Sequence, residues 1–464
     1  MTRHDGRMDR RGFLLSATSA GVALASSGFA ADPASSLLAG EGTADITPPL
    51  GIEMGGFHRA PGNERRIKAI RQPPAARALV LEMDGAQVAV CSLDVPTVGQ
   101  DMAARIQAEV GRTTGIPAEN VRICTTHTHS MPAFNFLRQW GALPKDFMAV
   151  VERKTVEAVA KAKADLAPSE VLLGKARVPG GNHNRTTKNF KTDERFDEGS
   201  TDAERWLDTM LHVLLFRRPG QRTLCWYHFS AHAVCFADES AGPDWPGMVA
   251  ELVSKNEKLQ PSFLQGHCGD VNPGDGRDWR GEANQTTAAI YPALKKAIAE
   301  AAPVKVDCLK TVRKEFRVPL DMALFKSWRD RYQADPKKCV GGEWVDAGFA
   351  EDWYRGNAAR SLGDTHLPVT VSAIRLGPIG FFFHPAELYS YYGLAIRRGS
   401  PLPDTLVVGY TDGIIGYLCD PTAYKAGEYA ATTVPKILDY PPFTPTAARE
   451  MTAAAIELLK RTMS

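Results

Sequence analysis

Five times along this chain a short apolar run empties directly into histidine, glycine or carboxylate residues. Apolar runs of that length, bounded by turn residues, read as buried strands. Between them lie segments of helical spacing. In residues 100–115, for example, Met102, Ile106 and Val110 recur, and Gly115 and Pro117 close the helix. Strands interleaved with helices restrict the fold to mixed, twisted β-sheets flanked by helices, the α/β class. Ligands in such folds bind outside the carboxyl ends of the strands. That is where this chain's polar residues fall.

Residues 78–83 and 88–93 flank Asp84-Gly85, a turn pair that tolerates positive φ, and predict a hairpin. Further strands are expected at 120–124, from 171, and at 223–230, 262–265, 369–376, 379–383 and 406–408. Helices are expected at 146–164, 248–255, 282–302 and 446–460, and a polar loop at 180–185. Residues 321–364 differ in character, with Trp328, Trp344, Trp353 and Tyr354 set among charges. They read as a helical insertion whose aromatic rings pack on the body, with a flap over the site as the alternative. The rest, residues 31–464, is expected to form one domain.

Residues 1–30 carry Arg10-Arg11-Gly12-Phe13-Leu14, a mildly apolar stretch and small residues up to Ala30. A basic start, an apolar middle and a small-residue end make an export signal. The paired arginines resemble the twin-arginine type, so a periplasmic or secreted protein is expected. No other stretch of ~20 apolar residues follows, so no integral membrane segment is expected after signal cleavage. The net charge of +2 gives no footprint for nucleic acid. Eight cysteines lack C-x-x-C spacing, which argues against a cysteine zinc site.

The chemistry is carried by five separated pieces. In Thr126-His127-Thr128-His129-Ser130, residues i and i+2 of an extended segment point the same way, so both imidazoles can face one point. His228 and His232 flank the end of a second apolar run, a good position for a metal ligand. The third piece, Gly266 to Gly274, holds Asp270 and Asn272 in a glycine-rich turn suited to donors near a reacting oxygen. Glu387 follows the apolar run Phe381-Phe382-Phe383, where a carboxylate is costly unless paired or bound to a cation. The fifth piece runs from Gly409 through Tyr410 to Tyr417, with Tyr424 and Tyr429 beyond.

In this set, together with the opening Ala44-Asp45-Ile46-Thr47-Pro48-Pro49, the chain resembles the neutral/alkaline, non-lysosomal ceramidases in their N-terminal catalytic domain. The resemblance runs to about Tyr429. It implies one zinc ion held by His127, His232, Glu387 and Tyr417. It also implies His129 as a proton-transfer group beside the substrate, and Asn184-Arg185 as a pair whose arginine binds a polar substrate group. Mixed nitrogen and oxygen ligands with one position left to water describe a catalytic zinc. The implied activity is amide hydrolysis by a metal-activated water, with Asn272 and Arg185 steadying the developing charge and Asp270 in the same turn.

Three departures bear on the substrate, a small-molecule or lipid-like N-acyl compound. Asn272 stands where the family has an essential serine, and asparagine can donate a hydrogen bond but cannot be a nucleophile. Met131-Pro132-Ala133-Phe134 replaces family glycines, so the pocket mouth is expected to be narrower or reshaped. The family's C-terminal immunoglobulin-like domain is not expected here. Three functions follow: a zinc amidase on ceramide-like substrates, a zinc hydrolase of the same fold on another amide or ester, or a metal-binding homologue that has lost catalysis.

Overall fold

The computed structural model describes residues 37–464. The expected export signal lies outside the described residues. Three large sheets dominate, two of five strands and one of four.

The first sheet is ordered Val121–Thr125, Ala86–Leu93, Ala75–Met83, Leu38–Asp45, Ala167–Pro168. Its central hairpin turns on Asp84 and Gly85, at φ 51° and 81°, as that residue pair predicts. The second sheet is ordered Pro261–Gln265, Leu224–Phe229, Met210–Arg217, Glu170–Arg177, Ala302–Pro303. The third runs Leu309–Pro319, His366–Leu376, Ile379–Phe383, Asp404–Val408.

One face of every sheet turns to a shared centre. Leu79, Leu81 and Val90 of the first meet Leu214, Phe216 and Trp226 of the second and Ile374, Phe381 and Phe383 of the third. Each such side chain contributes about 1.5–3 kcal/mol by leaving water, and Phe381→Ala would cost about 3–5 kcal/mol. The opposite faces are covered by helices. Gln100–Thr114 and Lys145–Ala164 pack on the first sheet through Ile106, Val110, Val151 and Val159. Trp245–Glu257 and Ala283–Ala299 cover the second through Val249, Ile290 and Leu294. Ser390–Gly399 and Ala447–Arg461 cover the third through Ile396, Met451 and Leu458. This is the mixed α/β architecture that the interleaved pattern predicts.

The sheets are mostly antiparallel, but each carries one parallel pair. These are Ala86–Leu93 with Val121–Thr125, Leu224–Phe229 with Pro261–Gln265, and Ile379–Phe383 with Asp404–Val408. The carboxyl ends of these pairs deliver all five chemistry-bearing pieces. The expected loop at 180–185 is partly a strand, Asn182–Asn184, which pairs with Val271–Pro273.

Residues 322–357 form two helices, Met322–Ala334 and Ala347–Asn357, around their own cluster of Phe325, Trp328, Trp344 and Trp353. The rings pack mainly on one another. Buried Lys436 closes that cluster from the body, its Nζ 3.6 Å above the Trp328 ring and 3.0 Å from Glu343.

Candidate active site

Val121–Thr125 is buried at every position and ends just before the histidine pair. His127 then adopts a left-handed backbone, φ 58°. The two imidazoles therefore converge through a turn, and not through the alternation of an extended strand. Their Nε2 atoms lie 3.1 Å apart. The backbone N–H of His129 donates to Ala233 (2.9 Å), which ties this turn to the segment carrying His232. Gly56, at φ 95°, lies so close that a Cβ there would stand 2.5 Å from the His129 Cβ. A side chain at that position would displace the imidazole.

Proton placement follows from the partners. The Nδ1 of His127 lies 2.7 Å from the Pro96 carbonyl, and that of His232 lies 2.9 Å from the Val271 carbonyl. A carbonyl only accepts, so both rings are protonated at Nδ1 and present bare Nε2 lone pairs. These face another acceptor: Glu387 Oε2 is 3.2 Å from His232 Nε2 and 3.6 Å from His127 Nε2. Burial pushes the His127 pKa down to about 4 and those of His129 and His232 well below the ordinary value. The imidazoles are thus neutral, as ligands must be. Acceptors converging on acceptors with no proton between them fit a bound cation. Ring nitrogens of His127, His129 and His232 all lie within 4.8 Å of one another.

Glu387 and Tyr417 are paired neighbours on the short parallel strands Ala386–Leu388 and Gly416–Leu418. The Arg185 guanidinium donates to the Tyr417 hydroxyl (2.6 Å), the Gly269 carbonyl (2.7 Å) and Asn272 Oδ1 (3.3 Å). Burial opposes the charge on Arg185, but Tyr417 and Glu387 outweigh it and hold the pKa above the ordinary value.

His129, Arg185 and Tyr417 open onto a cavity of about 480 Å³. Its other walls include Phe57, His58, Trp140, Trp279, Tyr389 and Tyr429. The other site residues predicted from the sequence do not line it: His127, His232 and Glu387 lie buried against His129 and Tyr417, and Asp270 and Asn272 lie elsewhere. Asp270 is a buried strut, its carboxylate accepting from the Ser390 N–H (2.7 Å) and Asn184 Nδ2 (2.8 Å). Asn272 lies behind Arg185, with its Nδ2 donating to the Trp279 carbonyl. Its amide is already engaged on both sides, so it acts here through Arg185 and the Trp279 loop.

Other expectations shift as well. His228 turns into the core, where its Nε2 donates to the Val407 carbonyl (2.9 Å). Met131, Ala133 and Phe134 are buried and none lines the cavity, because apolar side chains at that point join the packed core. The rim is instead built by residues that the sequence reading did not single out. Trp279, 57% exposed, sits in a polar glycine-bearing loop, where a large aromatic is a legible signal. Phe57 and Trp140 had none beyond the Gly55-Gly56 pair.

The fold and site define a class: an α/β protein with a buried, metal-fitting cluster of imidazoles and carboxylate beside an aromatic cavity. A family model described as neutral/alkaline non-lysosomal ceramidase, N-terminal, matches residues 37–276, more than half of the chain, and the chain belongs to that family. It is 30% identical over 266 residues to the neutral ceramidase of Mycobacterium tuberculosis. That match covers 51% of this chain and 40% of the relative, so it spans less than half of the relative's length. Among solved structures, the neutral ceramidase of Pseudomonas aeruginosa superposes with a TM-score of 0.71 at 17% identity. That superposition covers 92% of this chain and 75% of the other. A ceramidase complexed with C2 gives 0.68 at 15% identity, with the same coverage. At these identities the likeness is one of fold.

Proposed function

We propose that this protein is a zinc-dependent hydrolase of amide bonds in N-acyl compounds. The observation that carries the reading is the convergence of bare acceptors from His127, His232 and Glu387 against His129 and Tyr417, which line the cavity together with Arg185. His127, His232, Glu387 and Tyr417 would hold the ion. Bound there, zinc supplies a water of lowered pKa and a polarised carbonyl.

The chain's own residues do the rest. His129 lies at the cavity wall with its Nδ1 buried and unpartnered. A neutral imidazole so placed accepts a proton and hands it to the departing nitrogen. Arg185 keeps its charge and faces the cavity, where it steadies negative charge growing on the substrate oxygen. The rings of Phe57, Trp140, Tyr389 and Tyr429 exclude water and receive apolar substrate. Asn272 holds Arg185 and the Trp279 loop in place, a positioning role.

A second reading, a hydrolase of the same fold acting on a smaller amide or ester, is favoured by the cavity volume of about 480 Å³. That is the size of an ordinary small-molecule site. We also propose residues 31–464 as one catalytic domain carrying the Met322–Asn357 helices as an insertion, exported to the periplasm or beyond.

The test is hydrolysis by the zinc-loaded protein of ceramides of graded acyl length, N-acyl amino acids and simple esters, with Asn272→Ser alongside. Preference for ceramide supports the first reading, and preference for short amides or esters supports the second. Zinc-loaded protein inert towards all of them would overturn both.

A further inference from the structure

Tyr410 reaches three members of the metal-fitting cluster, His127, His232 and Glu387. It stands just past the Asp404–Val408 strand with a left-handed backbone, φ 54°. Its carbonyl accepts from the Thr125 N–H (3.1 Å), which fastens it to the strand leading into His127. Its ring stacks on the His127 imidazole, with centroids 4.2 Å apart and planes 26° apart. It meets the His232 ring edge-on at 6.4 Å. Its hydroxyl lies 3.4 Å from Glu387 Oε2, the oxygen that faces both imidazoles, and 3.1 Å from Cys268 Sγ.

The protons order themselves. A phenol has one proton, and the carboxylate can only accept it. Cys268 must then donate to the phenol oxygen, giving the chain S–H to O–H to carboxylate. From the Tyr410 side, this relay holds the Glu387 oxygen that faces the imidazoles. On the cavity side, Arg185 and the Tyr417 hydroxyl that it bonds present an opposing attraction. A buried carboxylate between two pulls needs a fixed partner to hold one rotamer.

We infer that Tyr410 is a positioning residue of the metal grip, fixing the His127 ring by stacking and the Glu387 carboxylate by hydrogen bonding. This rests on the proposed metal-dependent function and adds a residue to it. Groups that orient metal ligands typically account for about 10–100-fold in metal affinity.

The test compares the zinc dissociation constant and the visible spectrum of the cobalt-substituted protein for wild type, Tyr410→Phe and Tyr410→Leu. Tyr410→Phe keeps the ring and loses only the hydroxyl. It should melt within a few degrees of wild type, bind zinc about 10-fold more weakly, and shift the cobalt bands. Tyr410→Leu also loses the stack and should bind more weakly still. If the leucine variant does not fold, the phenylalanine variant alone decides. Tyr410→Phe binding zinc as tightly as wild type, with unchanged cobalt bands, overturns the inference. Wild-type protein that binds no zinc overturns the metal reading itself, and this role with it.

Discussion

Among the described residues, the buried histidines of the core and those beside the cavity are built on opposite rules. In the core, His228, His267 and His384 each have one neighbour of complementary kind, and their remaining ring nitrogens are unpartnered. His228 donates to the Val407 carbonyl, His267 Nε2 sits 3.1 Å from Asp208 Oδ2, and His384 Nδ1 accepts from the Ala386 N–H at 3.2 Å. Asp208 is in turn held by Arg397 at 2.6 Å. Beside the cavity the second nitrogens of His127 and His232 are anchored just as well, but their free faces meet Glu387, acceptor against acceptor. Burial and imidazole content are the same, so neither marks a site. The unmatched polarity does.

The comparison can be broken by one pair of variants. Either change bares a backbone carbonyl (Val271 or Val407) and opens a cavity, so both should destabilise the metal-free protein, at a cost of about 2–4 kcal/mol. Only His232→Ala should abolish zinc binding and hydrolysis. His228→Ala should spare both. Elemental analysis of samples that denaturant melts show to be folded separates the two; zinc lost from both or from neither would erase the distinction.

Arg185→Met sharpens it next, since Arg185 faces the cavity without belonging to either histidine group. Its loss should lower kcat by about 10²–10³-fold and leave the zinc content intact. A change in KM alone would move Arg185 from charge stabilisation to simple binding.

The pH dependence tests what the two groups share. Burial lowers His127 and His228 to about 4 and His384 to about 3. A depressed histidine pKa means that the unfolded chain takes up protons that the folded one refuses. Stability is therefore full above pH ~6.5. As pH falls from there toward 4, each such histidine removes about 1.4 kcal/mol per unit. Urea melts of metal-free protein at stepped pH should trace this decline. Flat stability between pH 6.5 and 4.5 would mean the rings are not held neutral.

The smallest effect is expected at the rim. Trp279→Ala should raise KM a few-fold with kcat unchanged, because its ring stands exposed at the cavity rim, away from the metal-fitting cluster. Equal KM values for short and long acyl substrates in the two proteins would remove Trp279 from the binding surface.

Much of this was legible in the chain, and the failures have physical causes. The hairpin at Asp84-Gly85 and the helix ending at Gly115 rest on local chemistry, and both form where expected. The Leu309–Pro319 strand escaped the reading because its LKTVRKEFRVP sequence places charges on a half-exposed face and resembles a solvated segment. Met210–Arg217 is a short apolar run, for which strand and buried helix look alike. His127, His232, Glu387 and Tyr417 could be named as a set only through the resemblance to the ceramidases, since the local pattern alone left His228 level with His232 and Tyr417 level with its neighbouring tyrosines. The meeting of three sheets at one centre is set by contacts far apart in sequence, as is the placing of Tyr410 against His127 and Glu387. No local pattern encodes either.

The central claim is a single cation gripped beside the cavity. Elemental analysis of the purified protein, stripped with chelator and reloaded with zinc, tests it most directly when Glu387→Ala is carried through in parallel. About one zinc per wild-type chain and almost none in the variant is the predicted result. Zinc-free wild type, or a variant that keeps a full equivalent, would contradict it.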